Sequence, residues 1–188
     1  MKRNVFLSAV ALTSLVTVSA CGGGADAPAA EETEEAAATE TETTEEEEAV
    51  EIVEVEANDT VIEVQMYTKD PDDASGLQVF KPRLVKAKVG DTIKFVPTDP
   101  THQSSSIDGG IPDGAAGWKG EVNKEVSAVM SVPGVYLYQC VPHYAAGMVG
   151  MIVVEGEGSD ANVEAAKGIT HPGLAGKAFE AIFAEAGL

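Results

Sequence analysis

The chain is short of positive charge, histidine, cysteine and aromatic residues, and each shortage narrows the possible functions. Its 188 residues hold twelve Lys or Arg against 31 Asp or Glu, and no stretch is basic, so the sequence argues against nucleic-acid binding. No glycine-rich phosphate loop follows a predicted strand and no internal repeat is visible, which argues against nucleotide-binding and repeat folds. Only three His and two Cys are available for chemistry.

The first residues carry the pattern of an export signal. Two basic residues precede an apolar run from Val5 to about Val18, which is too short to span a bilayer. The run ends in Val18-Ser19-Ala20-Cys21, which resembles a bacterial lipobox. We therefore expect residues 1–20 to be a lipoprotein signal peptide and Cys21 to be acylated, with an ordinary signal and an incidental cysteine as the alternative. Gly22 favours the outer membrane in a cell with two membranes.

Residues 21–60 are expected to form a lipidated, disordered acidic tether. Between residues 22 and 60 there is no Lys or Arg but there are fifteen acids, and Ala, Thr and Gly fill most of the rest. Such a segment cannot bury enough apolar surface to offset its ordering entropy, and its charges repel one another. Residues 61–188 therefore carry only about −6 of the total charge of −19. A short strand is predicted at 51–56, where the tether meets the domain.

Residues 61–188 are predicted to form one all-β domain. Turn signals such as Gly90-Asp91 and Pro133-Gly134 separate runs that are rich in β-branched and aromatic residues. Short strands at this spacing favour an antiparallel sandwich or barrel. The seven runs are Val61–Tyr67, Leu77–Phe80, Leu84–Val89, Thr92–Val96, Glu125–Met130, Val135–Cys140 and Val149–Val154. Between Thr98 and Lys119 the pattern gives way to Pro, Ser, Gly and Asp, which predicts a long loop.

The end of the domain, residues 158–188, is predicted to be helical. Ser159 or Asp160 is the candidate N-cap of a helix that ends at Lys167, and Pro172 opens a second helix. An apolar stripe at helical spacing is interpreted as packing against the sheets, and it comprises Leu174, Ala178, Phe179, Ile182 and Phe183. His171 is interpreted as a surface residue without a role.

One short loop after a predicted strand concentrates soft donor atoms. If Cys21 is acylated, Cys140 remains as a lone thiol in an oxidising compartment, and a metal is the simplest way to hold it. Cys140, His143 and Met148 offer a thiolate, an imidazole and a thioether, while His102 lies in the loop after the Thr92–Val96 run. Two His, one Cys and a weak axial Met describe an electron-transfer copper site.

Each of these residues also has a plainer interpretation. Cys140 is compatible with a buried structural cysteine, or with a catalytic thiolate paired with His143, although no acyl-transfer context accompanies it. Met148 alone would be a core residue, and His102 alone an ordinary loop histidine. Trp118 and Tyr144 are interpreted as packing residues rather than electron relays.

Five segments spread over roughly residues 60–188 share a family framework. They are Val79-Phe80-Lys81-Pro82, residues 89–97, residues 111–115, residues 133–136 and residues 140–148. This framework resembles the pseudoazurins, which are blue-copper cupredoxins. The resemblance implies a Greek-key β-sandwich of about eight strands with two short C-terminal helices. It also implies that His102, Cys140 and His143 are the equatorial ligands of one copper ion and that Met148 is the axial ligand.

The resemblance implies a function as well. The protein would be a monomer, not an enzyme, that shuttles single electrons between exported respiratory proteins such as cytochromes or copper reductases and oxidases. The electron would pass at the edge of His143, inside a docking patch of small apolar residues, which are Pro142, Ala145, Ala146 and Gly147. Two rivals stay open: a copper-storage or copper-delivery module, and a thiol-dependent enzyme that uses Cys140 and His143.

Two departures from the family pattern concern the surroundings of the site. Gln103 and Val141 stand where pseudoazurins usually have Asn and Thr, so the side-chain tie between the two ligand loops is lost. We expect the Gln103 amide to turn to a backbone group or water instead. Lysines are expected around the docking patch, but only Lys69 and Lys119 remain, and the replaced positions are Pro100, Glu121 and Gln139. This weakens the inference to the family's usual acidic partner, nitrite reductase.

Overall fold

The computed structural model describes residues 51–188. The predicted signal peptide, Cys21 and most of the acidic tether lie outside these residues. Within 51–188, the helices are all too short or too polar to cross a bilayer.

Eight strands and two α-helices follow one another along the described part of the chain. The strands are β1 (Val61–Lys69), β2 (Leu77–Lys81), β3 (Leu84–Lys88), β4 (Thr92–Pro97), β5 (Ser105–Ser106), β6 (Val126–Val129), β7 (Gly134–Gln139) and β8 (Val149–Glu155). The helices are α1 (Val163–Lys167) and α2 (Ala175–Ala186), and a 3₁₀ helix covers Val141–Ala146. All seven predicted runs are strands, and the prediction of about eight strands with two C-terminal helices is confirmed.

The strands form two four-stranded sheets, in the orders β2-β1-β4-β6 and β3-β8-β7-β5. The expectation of antiparallel sheets is wrong in part, because β1 pairs with β4 and β3 pairs with β8 in parallel. Consecutive strands β2 and β3 lie in different sheets, so β4 returns beside β1 in the same direction. A sandwich rather than a barrel results.

The main core lies between the sheets and follows from the alternation of the strands. In β4, Ile93 and Phe95 are buried while their neighbours are only partly covered, as expected of a strand with one face inward. Phe95 stacks on Trp118 with ring centroids 5.3 Å apart and meets Tyr138 edge-on at 5.0 Å. These rings form an apolar layer between the sheets, on which the loops at the end of the sandwich rest.

A second core lies between the β7–β8 sheet and the helical tail. Five of the six residues of β7 are buried, because one face of the strand meets the first core and the other meets the tail. Phe179 and Ile182 of α2 pack there with Leu137. The predicted stripe is correct except at Leu174, which precedes α2 and is 63% exposed.

The tail also begins differently from the prediction. Helix α1 starts at Val163 with Asn162 at the N-cap position, not with Ser159 or Asp160. The Asn162 amide does not cap the helix. Instead it accepts from the Val135 N–H at 2.9 Å and donates to the Val135 carbonyl at 2.7 Å, which fastens the tail to β7.

Residues 51–60 precede β1 as an irregular segment, so the predicted strand at 51–56 is wrong. The segment nevertheless contacts the domain. The Val53 N–H donates to the Gly114 carbonyl, and the Asn58 N–H donates to the Gly90 carbonyl, both at 2.8 Å. Ordered contacts therefore begin before Val61.

Candidate metal centre

The loop between β7 and β8 brings three donor residues to one end of the sandwich. Cys140 ends the extended backbone of β7, and the 3₁₀ helix Val141–Ala146 turns the chain immediately afterwards, with a proline in its first turn. Gly147 adopts a left-handed conformation, with φ of 91°, which reverses the chain into Met148. The Cys140 N–H donates to the Met148 carbonyl at 3.0 Å, so the two ends of the loop are joined.

His102 reaches the same place from the long loop after β4. The predicted loop contains the two-residue strand β5, whose Ser105 lies opposite Gln139 of β7. This pairing places the His102 loop next to Cys140. The His102 carbonyl accepts the Asn123 N–H at 2.8 Å, and the His102 side chain is fully buried. His102 Nε2 lies 3.1 Å from Thr68 Oγ1, so this nitrogen is occupied by a hydrogen bond.

The free nitrogens of both histidines face the thiol. Cys140 Sγ lies 3.8 Å from His102 Nδ1 and 3.4 Å from His143 Nδ1. The donor atoms of the three residues all lie within 4.8 Å of one another, and no other group of His, Cys and carboxylate residues in the described part meets this condition. The fourth predicted ligand, Met148, is fully buried at the end of the same loop.

The electrostatics of the pocket fit a cation held by these atoms. Burial, followed by repulsion from His143, lowers the pKa of His102, so its ring is neutral and offers a lone pair. Burial raises the pKa of the Cys140 thiol, although the backbone N–H groups of Gln103 and His143 oppose this. A buried thiolate at this position therefore needs a compensating positive charge, which a metal ion supplies. A thiolate with two imidazoles and a nearby thioether is a donor set that suits copper.

The two departures predicted around the site are visible in the structure. Val141 is 51% exposed and has no group that can hydrogen-bond, so it makes no side-chain tie to the His102 loop. The Gln103 side chain is buried and, with its NH₂ oriented towards the acceptors, donates to the Gly120 carbonyl at 3.2 Å and to Ser105 Oγ at 2.8 Å. The Gln103 amide thus turns to a backbone group, as expected, and ties the His102 loop to Gly120.

The expected docking patch lies on the surface beside the site. Pro142, Ala145 and Ala146 are exposed, and Gly147 is partly covered. His143 lies between Pro142 and Ala145 in the sequence and is half-buried, and its Nδ1 faces Cys140.

Sequence reasoning missed several residues that support the site. Thr68 holds His102, and Ser104 accepts a hydrogen bond from Trp118 Nε1 at 3.0 Å, which ties the His102 loop to the aromatic core. These contacts join residues 14 to 34 positions apart, so no local pattern could reveal them. His171, interpreted as having no role, is half-buried, and its Nδ1 lies within hydrogen-bond distance of the Tyr144 hydroxyl.

Comparisons with known proteins agree with this geometry. The family of copper binding proteins called the plastocyanin/azurin family matches residues 65–155. A pseudoazurin of Methylorubrum extorquens is 42% identical over 124 residues, which cover 66% of this chain and 80% of that protein. A pseudoazurin of Paracoccus pantotrophus is 37% identical over 123 residues, covering 65% of this chain and 81% of the relative.

Solved structures give the same result. A pseudoazurin from a Sinorhizobium species superposes with a TM-score of 0.63 at 44% identity, over 68% of this chain and 96% of the other. A pseudoazurin from Hyphomicrobium denitrificans superposes with a TM-score of 0.62 at 37% identity, over 67% and 98% of the two chains.

Proposed function

The chain belongs to the pseudoazurins, and from this premise we propose that it is an exported, lipid-anchored blue-copper protein that carries single electrons between redox partners. The observation that supports this most is the meeting of Cys140 Sγ with the Nδ1 atoms of His102 and His143. With Met148 buried beside them, these atoms would hold one copper ion. Copper, when bound, supplies a one-electron Cu(I)/Cu(II) couple.

The residues of the site would keep the donor atoms in place while the charge changes. Thr68 holds the His102 ring through Nε2, and the Asn123 N–H holds the His102 backbone through its carbonyl. Backbone N–H groups point at the Cys140 sulfur, and the loop closes on itself between Cys140 and Met148. Ligands fixed in this way need little rearrangement, which favours fast electron exchange.

His143 would be the point where the electron leaves or enters. Its ring joins the buried sulfur to the surface, and the exposed side chains around it are small and apolar: Pro142, Ala145 and Ala146. Such a patch suits transient contacts that bury little area. The partners would be exported donors and acceptors, such as cytochromes or copper reductases and oxidases, and the chain would meet them as a monomer.

The two rival functions are disfavoured by the burial of the site. A storage or delivery module would favour exposed or Met-rich ligands, whereas His102, Cys140 and Met148 are all buried. A nucleophilic cysteine has a lowered pKa and is accessible, whereas burial raises the pKa of Cys140. We therefore propose no enzymatic activity.

The membrane anchor rests on the sequence. The basic start, the apolar run and the lipobox-like Val18-Ser19-Ala20-Cys21 support export and acylation of Cys21. Several acyl chains on Cys21 would anchor the protein stably, at about 0.8 kcal/mol per buried CH₂. The acidic stretch of residues 22–60 would then separate the domain from the membrane, which would be the outer membrane in a cell that has two. Cys21→Ser should move the protein from the membrane fraction to the soluble fraction.

A visible spectrum of the copper-loaded protein tests the proposed function. We expect an intense thiolate-to-copper band at roughly 600 nm. Cys140→Ser should abolish the band and leave the sandwich folded, because the apolar alternation of the strands does not depend on the thiol. Cys21→Ser is the matched control and should keep the band. A band that survives Cys140→Ser would refute the ligand assignment.

A further inference from the structure

The start of the helical tail touches the ligand loop at three points. Tyr144 Oη lies 2.6 Å from His171 Nδ1. The Leu174 N–H donates to the Ala145 carbonyl at 2.9 Å. A Cβ on Gly147 would lie 3.4 Å from the Leu174 Cβ, so the two backbones are in close contact there. The segment 171–174 therefore lies along the loop that joins His143 to Met148.

Tyr144 is the only residue with a large side chain between the two predicted ligands. The others are Ala145, Ala146 and Gly147, whose small side chains cannot anchor the loop. The Tyr144 carbonyl accepts the Gly147 N–H at 2.9 Å, and the His143 carbonyl accepts the Met148 N–H at 3.2 Å. Whatever holds Tyr144 therefore also holds the turn that delivers Met148.

His171 is in a suitable state to hold Tyr144. Its ring lies 4.4 Å from the ring of Phe179, a buried residue of α2, so it is fixed to the tail core. Burial lowers the pKa of His171, so its ring is neutral, and in the tautomer that carries its proton on Nε2 the Nδ1 atom accepts a hydrogen bond. The Tyr144 hydroxyl, 2.6 Å from Nδ1, is then the donor of this hydrogen bond.

We propose that His171 is a positioning residue for the copper-ligand loop, which it holds by accepting the hydrogen bond of Tyr144. The helical tail thereby acts as a support that sets the path from His143 to Met148. The inference rests on the proposed function only in taking His143 and Met148 as ligands. The contacts that form the support involve no metal ligand atom.

Hydrogen exchange on the metal-free, full-length protein tests the proposal. His171→Phe and Tyr144→Phe each remove one partner and should accelerate exchange of the Gly147 and Met148 amides by roughly two- to tenfold, the range of one net hydrogen bond. His171→Asn places an amide oxygen where Nδ1 lies and should restore slow exchange. The amide of Phe95, in the distant β1–β4 pairing, should not change.

Tyr67→Phe is the matched control, because the Tyr67 hydroxyl has no hydrogen-bond partner within residues 51–188 and its loss should leave the loop amides unchanged. Unchanged loop exchange in both Tyr144→Phe and His171→Phe would overturn the proposal. So would acceleration that is equal at Phe95, since that indicates general destabilisation.

As a second measurement, His171→Phe and Tyr144→Phe should both release Cu(I) to a chelator faster than the parent protein, and His171→Asn should not. A protein without the blue band would refute the proposed function and leave the exchange result to decide this inference alone.

Discussion

At the scale of single residues, a hydrogen bond at Nε2, the ring nitrogen that faces away from Cys140, fixes the orientation of His102. Hydrogen-bond partners of a ligating histidine fix its tautomer and orientation, and their loss costs about 10- to 100-fold in metal affinity. Here the partner is Thr68, with Oγ1 3.1 Å from Nε2. Thr68→Val should lower copper affinity by a factor in that range, while Thr68→Ser keeps the hydroxyl and most of the affinity. Competition with a chelator measures both, and equal affinities would contradict the prediction.

Met148 offers a second test at a single residue. Its thioether is a weak donor, and removing it disfavours Cu(II) more than Cu(I), so Met148→Leu should raise the reduction potential while copper stays bound. Met151→Leu is the control, since Met151 is equally buried but packs in the second core, against the tail. Cyclic voltammetry compares the two. A potential that is unchanged or lower in Met148→Leu would show that Met148 is not the axial ligand.

The individual donors could be predicted from the sequence because their spacing is local: three of them lie within nine residues. The contacts that hold them could not be predicted. Thr68 and His102 are 34 positions apart, and Tyr144 and His171 are 27 apart, so only the folded chain brings them together. Gln103 is intermediate. The absence of a hydroxyl on Val141 excluded a tie between the two side chains, but only the structure identifies Gly120 as the acceptor of the Gln103 amide.

At the scale of elements, strands with clear alternation were predicted well and short or shared elements were not. β5 has two residues, too few to form a pattern, although its pairing with β7 positions His102. The start of α1 was mistaken because Asn162 uses its amide on Val135 rather than on its own helix. The parallel pairing of β1 with β4 and of β3 with β8 was missed, because the relative direction of two neighbouring strands depends on the sheet to which each strand belongs. The order of strands in the sheets is a property of the whole topology.

The pairing of β7 with β8 depends on a glycine that no local rule reveals. A Cβ at Gly150 would lie 2.2 Å from the ring of Tyr138, which is fully buried and cannot move aside. Gly150→Ala should therefore destabilise the fold by about 1–3 kcal/mol or more, as overpacking does. Gly176→Ala in α2 meets nothing within 4 Å and should stabilise by about 0.5–1 kcal/mol. Urea denaturation distinguishes them, and equal stabilities would contradict the packing argument.

The turn between β3 and β4 makes stability depend on pH. The Asn58 side chain donates to Asp91 Oδ1 and the Lys88 N–H donates to Oδ2, both at 2.8 Å. The hydrogen bond from Asn58, helped by that from Lys88, lowers the pKa of Asp91 below 3.8. A carboxyl whose pKa is lower in the folded state stabilises the fold above its unfolded pKa, and this contribution is lost as the pH falls through the folded value.

Asp91→Asn should therefore be less stable than the parent at neutral pH, because its NH₂ group would face one of the two donors. The difference should shrink as the pH falls below 3.8. Asp113→Asn is the control, since Asp113 is an exposed carboxylate without a hydrogen bond in the described part of the chain. Chemical denaturation over a pH series measures the effect. A stability difference that does not vary with pH would contradict the assignment.

At the scale of the whole molecule, most of the negative charge lies in one stretch of the sequence before the domain. The chain carries −19, but fifteen of its acids lie in residues 22–60, and residues 61–188 carry about −6. Glu121, which stands at one of the positions where a lysine is expected, is paired with Lys124 at 2.5 Å. Lys69 and Lys119 are exposed, but a wider ring of lysines is absent from the sequence around them.

The patch should therefore recognise its partners by apolar contact more than by charge. Association that is steered by opposite charges slows steeply as ionic strength rises, whereas contact of neutral surfaces does not. We expect stopped-flow electron-transfer rates with an acidic acceptor to fall by less than about tenfold between low and physiological salt. Ala146→Lys adds positive charge to the exposed patch without touching a predicted ligand and should increase the salt dependence. The parent and Ala146→Lys both contain the acidic stretch of residues 22–60, so a difference between their salt dependences comes from the patch. A steep salt dependence in the parent, unchanged in Ala146→Lys, would mean that charges elsewhere on the chain guide docking.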